Sequence, residues 1–217
     1  MIQLSSKGQT LFLVGYAFLV TEVFTWVMLY HVAPSVRLDY PDLPASTLVL
    51  LGNIPMLFGS ACVFLIAKQT LQPFKFDRAV FLTLVVGLGA NYAVICLMKP
   101  LFAGGRHFNF DQWELYSAYL YLFVMIGFGP VVEELLMRGC FFEVLRQSWG
   151  DWRALRMSTL LFVIPHLIWS GPVFLNPVAI FSLIVASVLF TYLYIEGGLV
   201  PAIAAHMFWN FYVNFLS

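Results

Sequence analysis

A chain of 217 residues that is 61% hydrophobic and only 10% charged has too little charge to clothe a soluble domain of its size. Its mean hydropathy is +0.88. The formal net charge is zero and no long basic tract occurs, which argues against a nucleic-acid partner.

Taken in chain order, apolar runs long enough for membrane-spanning helices lie at Leu11–Tyr30, Thr47–Ala67, Ala79–Met98, from Leu115 onward, and at Leu155–Ser170, Pro177–Ile195 and Leu199–Leu216. No run alternates with a period of two, so a barrel is excluded. The expected fold is all-α, a polytopic transmembrane bundle of about seven to eight helices. It forms a single domain over residues 1–217, with the motifs confined to residues 112–217. Lys7 ahead of an apolar run suggests a secretory signal. The run is too long for a signal core, however, and no small-x-small cleavage site follows, so the first span is expected to stay. Cys62, Cys96 and Cys140 all fall in apolar segments and read as small buried hydrophobes. Trp26, Trp113, Trp149, Trp152 and Trp169 lie near span ends, as an interfacial aromatic belt places them, whereas Trp209 sits near the last motif.

Loops are marked by Pro, Gly and charge at "HVAPSVRLDYPDLPAS", "KQTLQPFKFDRA", "KPLFAGGRHFNFDQWE", "RQSWGDWRALR", "SGPVFLNP" and "IEGG". The stretch from Gln112 to Ser148 is too long for one straight crossing, and Gly127, Gly129 and Pro130 break or kink it. With a single kinked crossing there, Lys7, Lys68, Lys75, Arg78, Arg146, Arg153 and Arg156 fall on one side and only Arg37, Lys99 and Arg106 on the other. That asymmetry places the N-terminus in the cytoplasm of a multi-pass protein of the cell (inner) membrane. Two crossings would erase it.

Three polar groupings interrupt the apolar segments at helical spacing. "EELLMR" carries Glu133, Glu134 and Arg138; "FVIPH" carries Phe162 and His166; "HMFWN" carries His206 and Asn210. Residues four apart share a helix face, so Glu134 and Arg138 pair along their helix. Glu133, about 100° away, is then free to face the histidines. Mid-membrane carboxylates and arginines cost about 2.5–3.5 kcal/mol each, so groups on separate helices are best tolerated around one hydrated cavity. Singly, each has a plain structural explanation: an ion pair that locks the fold, a core histidine, an interhelical Asn bond, Phe162 as packing. Glu22 is a further intramembrane carboxylate with no assigned role, and His31 and His107 fall in loops.

The order "EExxxR … FxxxH … HxxxN" resembles the CAAX prenyl endopeptidase type II and bacteriocin-processing (CPBP, Abi) family of intramembrane proteases. "GPVVEELLMRGCFFEVL" and "EGGLVPAIAAHMFWNF" are similar to its two most recognisable blocks, over about Pro130 to Asn210. Met137 stands where the family often has Phe. The resemblance implies that Glu133 and His166 activate a water molecule against a peptide carbonyl. It implies that His206 and Asn210 stabilise the oxyanion and that Glu134, Arg138 and Phe162 support them. Amide hydrolysis needs such a base and such donors.

An alternative makes Glu133, His166 and His206 the three ligands of a catalytic zinc, a His₂Glu set. No "HExxH" helix is present, and the metal-free reading is preferred. The substrate implied is a peptide or a membrane-associated protein, with prenylated proteins among the family's substrates. A non-catalytic scaffold or immunity protein has no need of all four polar groups. A proton-coupled transporter is expected to show repeated halves, and none is seen.

Overall fold

The computed structural model describes Lys75 and residues 77–98, 122–169 and 177–215, with isolated positions before residue 62. The spans foreseen at Leu11–Tyr30 and Thr47–Ala67 lie outside the described residues apart from those positions. Glu22, His31, His107, Trp26, Trp113 and the loop over residues 99–114 also lie outside them.

The described chain is helical, and no strand occurs among the described residues. Helix α1 is Arg78–Met98. Asp77 starts it, its Oδ1 accepting the Val80 backbone N–H at 2.9 Å and so satisfying one otherwise orphaned donor. A second helical rod runs unbroken over residues 123–149. It comprises a π-helical turn over Phe123–Phe128, then α2 (Gly129–Glu134), a second π-helical stretch over Leu135–Phe142, and α3 (Glu143–Trp149). Every junction keeps right-handed helical dihedrals. The backbone therefore runs helically through Pro130, and two helices meeting at that proline are not observed.

Helices α4 (Asp151–Trp169), α5 (Pro177–Gly197) and α6 (Leu199–Phe215) complete the described fold. The loops foreseen at "RQSWGDWRALR" and "IEGG" shrink to single residues. Gly150 (φ 79°) and Gly198 (φ 82°) adopt the left-handed conformation that glycine enters without penalty. Their N–H groups return to the carbonyls of Arg146 and Tyr194, both at 2.9 Å, closing α3 and α5. The turns reverse the chain, so α4 runs against the α2–α3 rod and α6 against α5.

Helix α5 lies at the centre, packed against α1, α4 and α6. Ala186, Phe190, Leu193 and Tyr194 are buried on it, Phe142 and Leu136 on the rod, Phe162 on α4, and Ala202 and Ala205 on α6. Charged and polar side chains are buried inside this apolar core while apolar ones stand exposed outside it. Glu134, Arg138, Ser187, Thr191 and His206 are buried, while Phe181, Ile184, Val188 and Tyr192 line the outer face of α5 and Met157, Leu160 and Ile164 that of α4. Among the described residues α5 is long and apolar enough to cross a membrane, with a mean hydropathy of 2.3. Arg78–Ala90 and Leu199–Val213 are shorter apolar helical stretches. Trp149 and Trp152 are exposed at the α3–α4 turn, and Trp209 is buried.

Candidate active site

The first motif owes its placement to the way the rod accommodates Pro130. Proline has no N–H to give and its ring crowds the carbonyl four residues back. The turn ahead of it widens, and Gly129 N–H bonds to the Val124 carbonyl, five residues back, in the π register. A Cβ at Gly129 would stand 2.9 Å from that carbonyl oxygen, so only glycine fits this approach. Glu133 and Glu134 follow one turn later, and Arg138 lies in the second π-helical stretch.

Arg138 Nη1 donates to Glu134 Oε1 at 2.8 Å, with both side chains fully buried. This is the intrahelical pair read from the sequence. A second bond on the same oxygen was not foreseen: His206 Nδ1, from α6, donates to Glu134 Oε1 at 2.8 Å. Glu134 is thus shared between an arginine on its own rod and a histidine 72 residues away. Glu134 thus pairs with Arg138 as the spacing predicts and in addition holds His206, which Glu133 also faces.

Glu133 is 17% exposed, and its Oε2 stands 3.7 Å from His206 Nε2 and 4.0 Å from His166 Nε2. Both histidines present the same edge. His166 Nδ1 donates to the Phe162 carbonyl at 2.7 Å, and a carbonyl only accepts, so this nitrogen carries a proton. Pro165, one residue before His166 in the same helix, has no N–H for the Leu161 carbonyl. His206 Nδ1 is likewise committed to the Glu134 carboxylate. In both rings Nε2 is therefore the atom turned toward Glu133. The gaps of 3.7 and 4.0 Å exceed a direct hydrogen bond. Two bonds of about 2.8 Å meeting at about 100° span about 4.3 Å, close to the width a bridging water covers.

Phe162 does more than fill space. Its ring lies 4.6 Å from the His166 ring and 5.7 Å edge-on from His206, and the Arg138 guanidinium carbon stands 4.7 Å above its centre. Asn210 follows His206 by one turn of α6 and is partly exposed. The sequence reading passed over α5, which carries no motif. Phe190 stacks on His206 at 4.8 Å and 18°, and Ser187 and Thr191 bond to Arg138. The signal was legible as a Ser–Thr pair four apart inside "VASVLFTYL".

Glu133, His166 and His206 have the donor chemistry of a zinc set. Among the described residues, however, no group of three or more His, Cys, Asp or Glu side chains is arranged to hold a metal ion. As placed, the three do not fit a closed metal site, and no step below is derived through one.

Comparison with curated proteins and with solved structures finds no match. Residues 115–212, which contain all three motif blocks, match the model of the family described as Type II CAAX prenyl endopeptidase Rce1-like. That family consists of membrane-embedded CAAX-type proteases, and over those residues, just under half of the chain, this protein is similar to it.

Proposed function

We propose that this chain is a membrane-embedded endopeptidase that hydrolyses a peptide bond with water activated by Glu133 and His166. The observation that carries the reading is the approach of Glu133 Oε2 to the Nε2 atoms of two histidines on two other helices, at 4.0 and 3.7 Å. The family match over the same residues supports it.

In this mechanism a water molecule lies between Glu133 Oε2 and His166 Nε2. Glu133 takes its proton as the oxygen attacks the carbonyl carbon. The carbonyl oxygen becomes an oxyanion, to which Asn210 donates an amide N–H and His206 donates from Nε2. For that donation His206 holds protons on both nitrogens, and the resulting cation is flanked by Glu134 at 2.8 Å and Glu133 at 3.7 Å. Collapse expels the amine, which leaves with the proton held by Glu133. Glu134, Arg138 and Phe162 support the assembly.

No cofactor enters this scheme; the zinc alternative with Glu133, His166 and His206 as ligands is separated from it by chelation. The substrate class is a peptide or a membrane-associated protein, prenylated substrates included, approached from within the bilayer. The chain is read as a multi-pass protein of the cell membrane with a cytoplasmic N-terminus, its spans enclosing the polar residues just described. The direct test is Glu133→Gln in a cleavage assay with purified protein. Gln cannot take the water's proton, so proteolysis is lost while the protein folds as before. Full activity in that variant refutes the assignment.

A further inference from the structure

We propose that Ser187 and Thr191 of α5 are positioning residues for His206, acting through Arg138 and Glu134. The inference rests on the reading of His206 as the donor to the oxyanion. Helix α5 supplies no group to the reaction itself. Yet its buried face is where the charged part of the site is anchored.

Arg138 has five N–H donors in a rigid planar fork and accepts nothing. One arm, Nη1, goes to Glu134 Oε1. The other arm, Nη2, donates to Ser187 Oγ at 2.9 Å and to the Ser187 carbonyl at 3.1 Å. Nε donates to Thr191 Oγ1 at 3.4 Å. Thr191 in turn donates its hydroxyl proton to the Ser187 carbonyl at 2.9 Å, which orients its lone pairs toward the guanidinium. Ser187 and Thr191, like Glu134 and Arg138, are fully buried, so water cannot substitute for a missing acceptor.

The consequence follows from the fork's rigidity. Ser187 and Thr191 fix the plane of the guanidinium, the plane fixes where Nη1 holds Glu134 Oε1, and that oxygen is the acceptor of His206 Nδ1–H. Which His206 nitrogen faces Glu133 is therefore decided two contacts away, on a different helix. Phe190, on the same face of α5 between Ser187 and Thr191, stacks on the His206 ring and restricts its tilt. A serine and a threonine four apart in a span otherwise suited to lipid are accounted for by this task. A structural anchor for Arg138 alone would not require the chain of contacts to end on a histidine nitrogen beside the water site.

The test uses the purified full chain labelled with ¹⁵N-histidine. Ser187→Ala and Thr191→Val are made singly and together, the single variants serving if the double variant does not fold. The wild-type His206 resonances, identified by their loss in His206→Gln, should report a single state with a proton on Nδ1 held in its bond to Glu134. The hydroxyl-deleted variants should show that Nδ1–H signal shifted or split, and kcat should fall about 10–100-fold with KM essentially unchanged. Thr191→Ser, which restores a hydroxyl to the Thr191→Val position, should recover the lost turnover. An unchanged His206 spectrum and unchanged kcat would overturn the proposal. So would reduced thermal stability with kcat and the Nδ1–H signal intact, since that is the signature of an anchor only. The spectrum does not depend on proteolysis. If the wild-type chain cleaves nothing while the Nδ1–H signal still responds to these variants, the endopeptidase reading fails and the positioning stands.

Discussion

Glu134→Gln is the substitution whose effect the structure defines most closely. It keeps the size of the side chain and removes only the charge. Glu134 Oε1 accepts two charge-assisted bonds, from Arg138 Nη1 and His206 Nδ1, both at 2.8 Å, and neither Glu134 nor Arg138 is exposed. Removing one member of a buried ion pair costs about 3–5 kcal/mol, because the other charge is left without compensation. Two features set the value at the lower end. Arg138 keeps its acceptors on Ser187 and Thr191 and the ring faces of Phe162 and Phe190. The glutamine carbonyl also still accepts one bond. A loss of about 3 kcal/mol, roughly a hundredfold in the folding equilibrium, is expected. Glu133→Gln provides the contrast: its carboxylate is partly exposed and stands 3.7 Å or more from either imidazole, so the loss should be about 1 kcal/mol or less. Equilibrium unfolding in detergent, with both variants beside the wild type, measures the difference. Replacing the pair together, with Glu134→Leu and Arg138→Met, should give a protein more stable than Glu134→Gln, because the guanidinium charge leaves with its partner and His206 keeps Glu133 beside it. If Glu134→Gln proves as stable as Glu133→Gln, the buried pair does not carry the weight assigned to it.

His206→Ala should lower turnover by about 10²–10³ while leaving KM largely unchanged, as expected for loss of one oxyanion donor, and steady-state kinetics separate the two parameters. Exhaustive chelation should leave proteolysis intact; activity lost on chelation and restored by zinc would instead assign Glu133, His166 and His206 as ligands. Reporter fusions after residue 75, residue 106, residue 152 and the C-terminus should read in, out, in, out, and a reversed reading at residue 152 would refute the single crossing through Pro130.

The sequence by itself determined what depends on local spacing and on composition. Long apolar runs without alternation leave helices as the only way to satisfy backbone hydrogen bonds in lipid. The four-residue interval between Glu134 and Arg138 placed them on one face whatever surrounded them, and their ion pair is observed. The block order EExxxR, FxxxH and HxxxN was legible for the same reason: it is written along the chain, and the family match covers it.

Tertiary packing decided the rest. Pro130 forecast a kink, but the chain continues through a widened π turn in which Gly129 N–H bonds to the Val124 carbonyl, a close approach that a side chain at Gly129 would obstruct. Likewise, nothing local distinguishes the two oxygens of Glu134 or tells one to serve two donors. That choice was made when α6 brought His206 to within 2.8 Å. The Ser187–Thr191 spacing was legible but did not point to a function, because a hydroxyl in an apolar helix ordinarily bonds back to its own backbone, as Thr191 does to the Ser187 carbonyl. Only the approach of the rod to α5, which buries the Arg138 fork against that face, gave those hydroxyls a charged partner. Hydrogen bonds between helices depend on which faces meet, and that is a property of the packed bundle, which no single helix encodes.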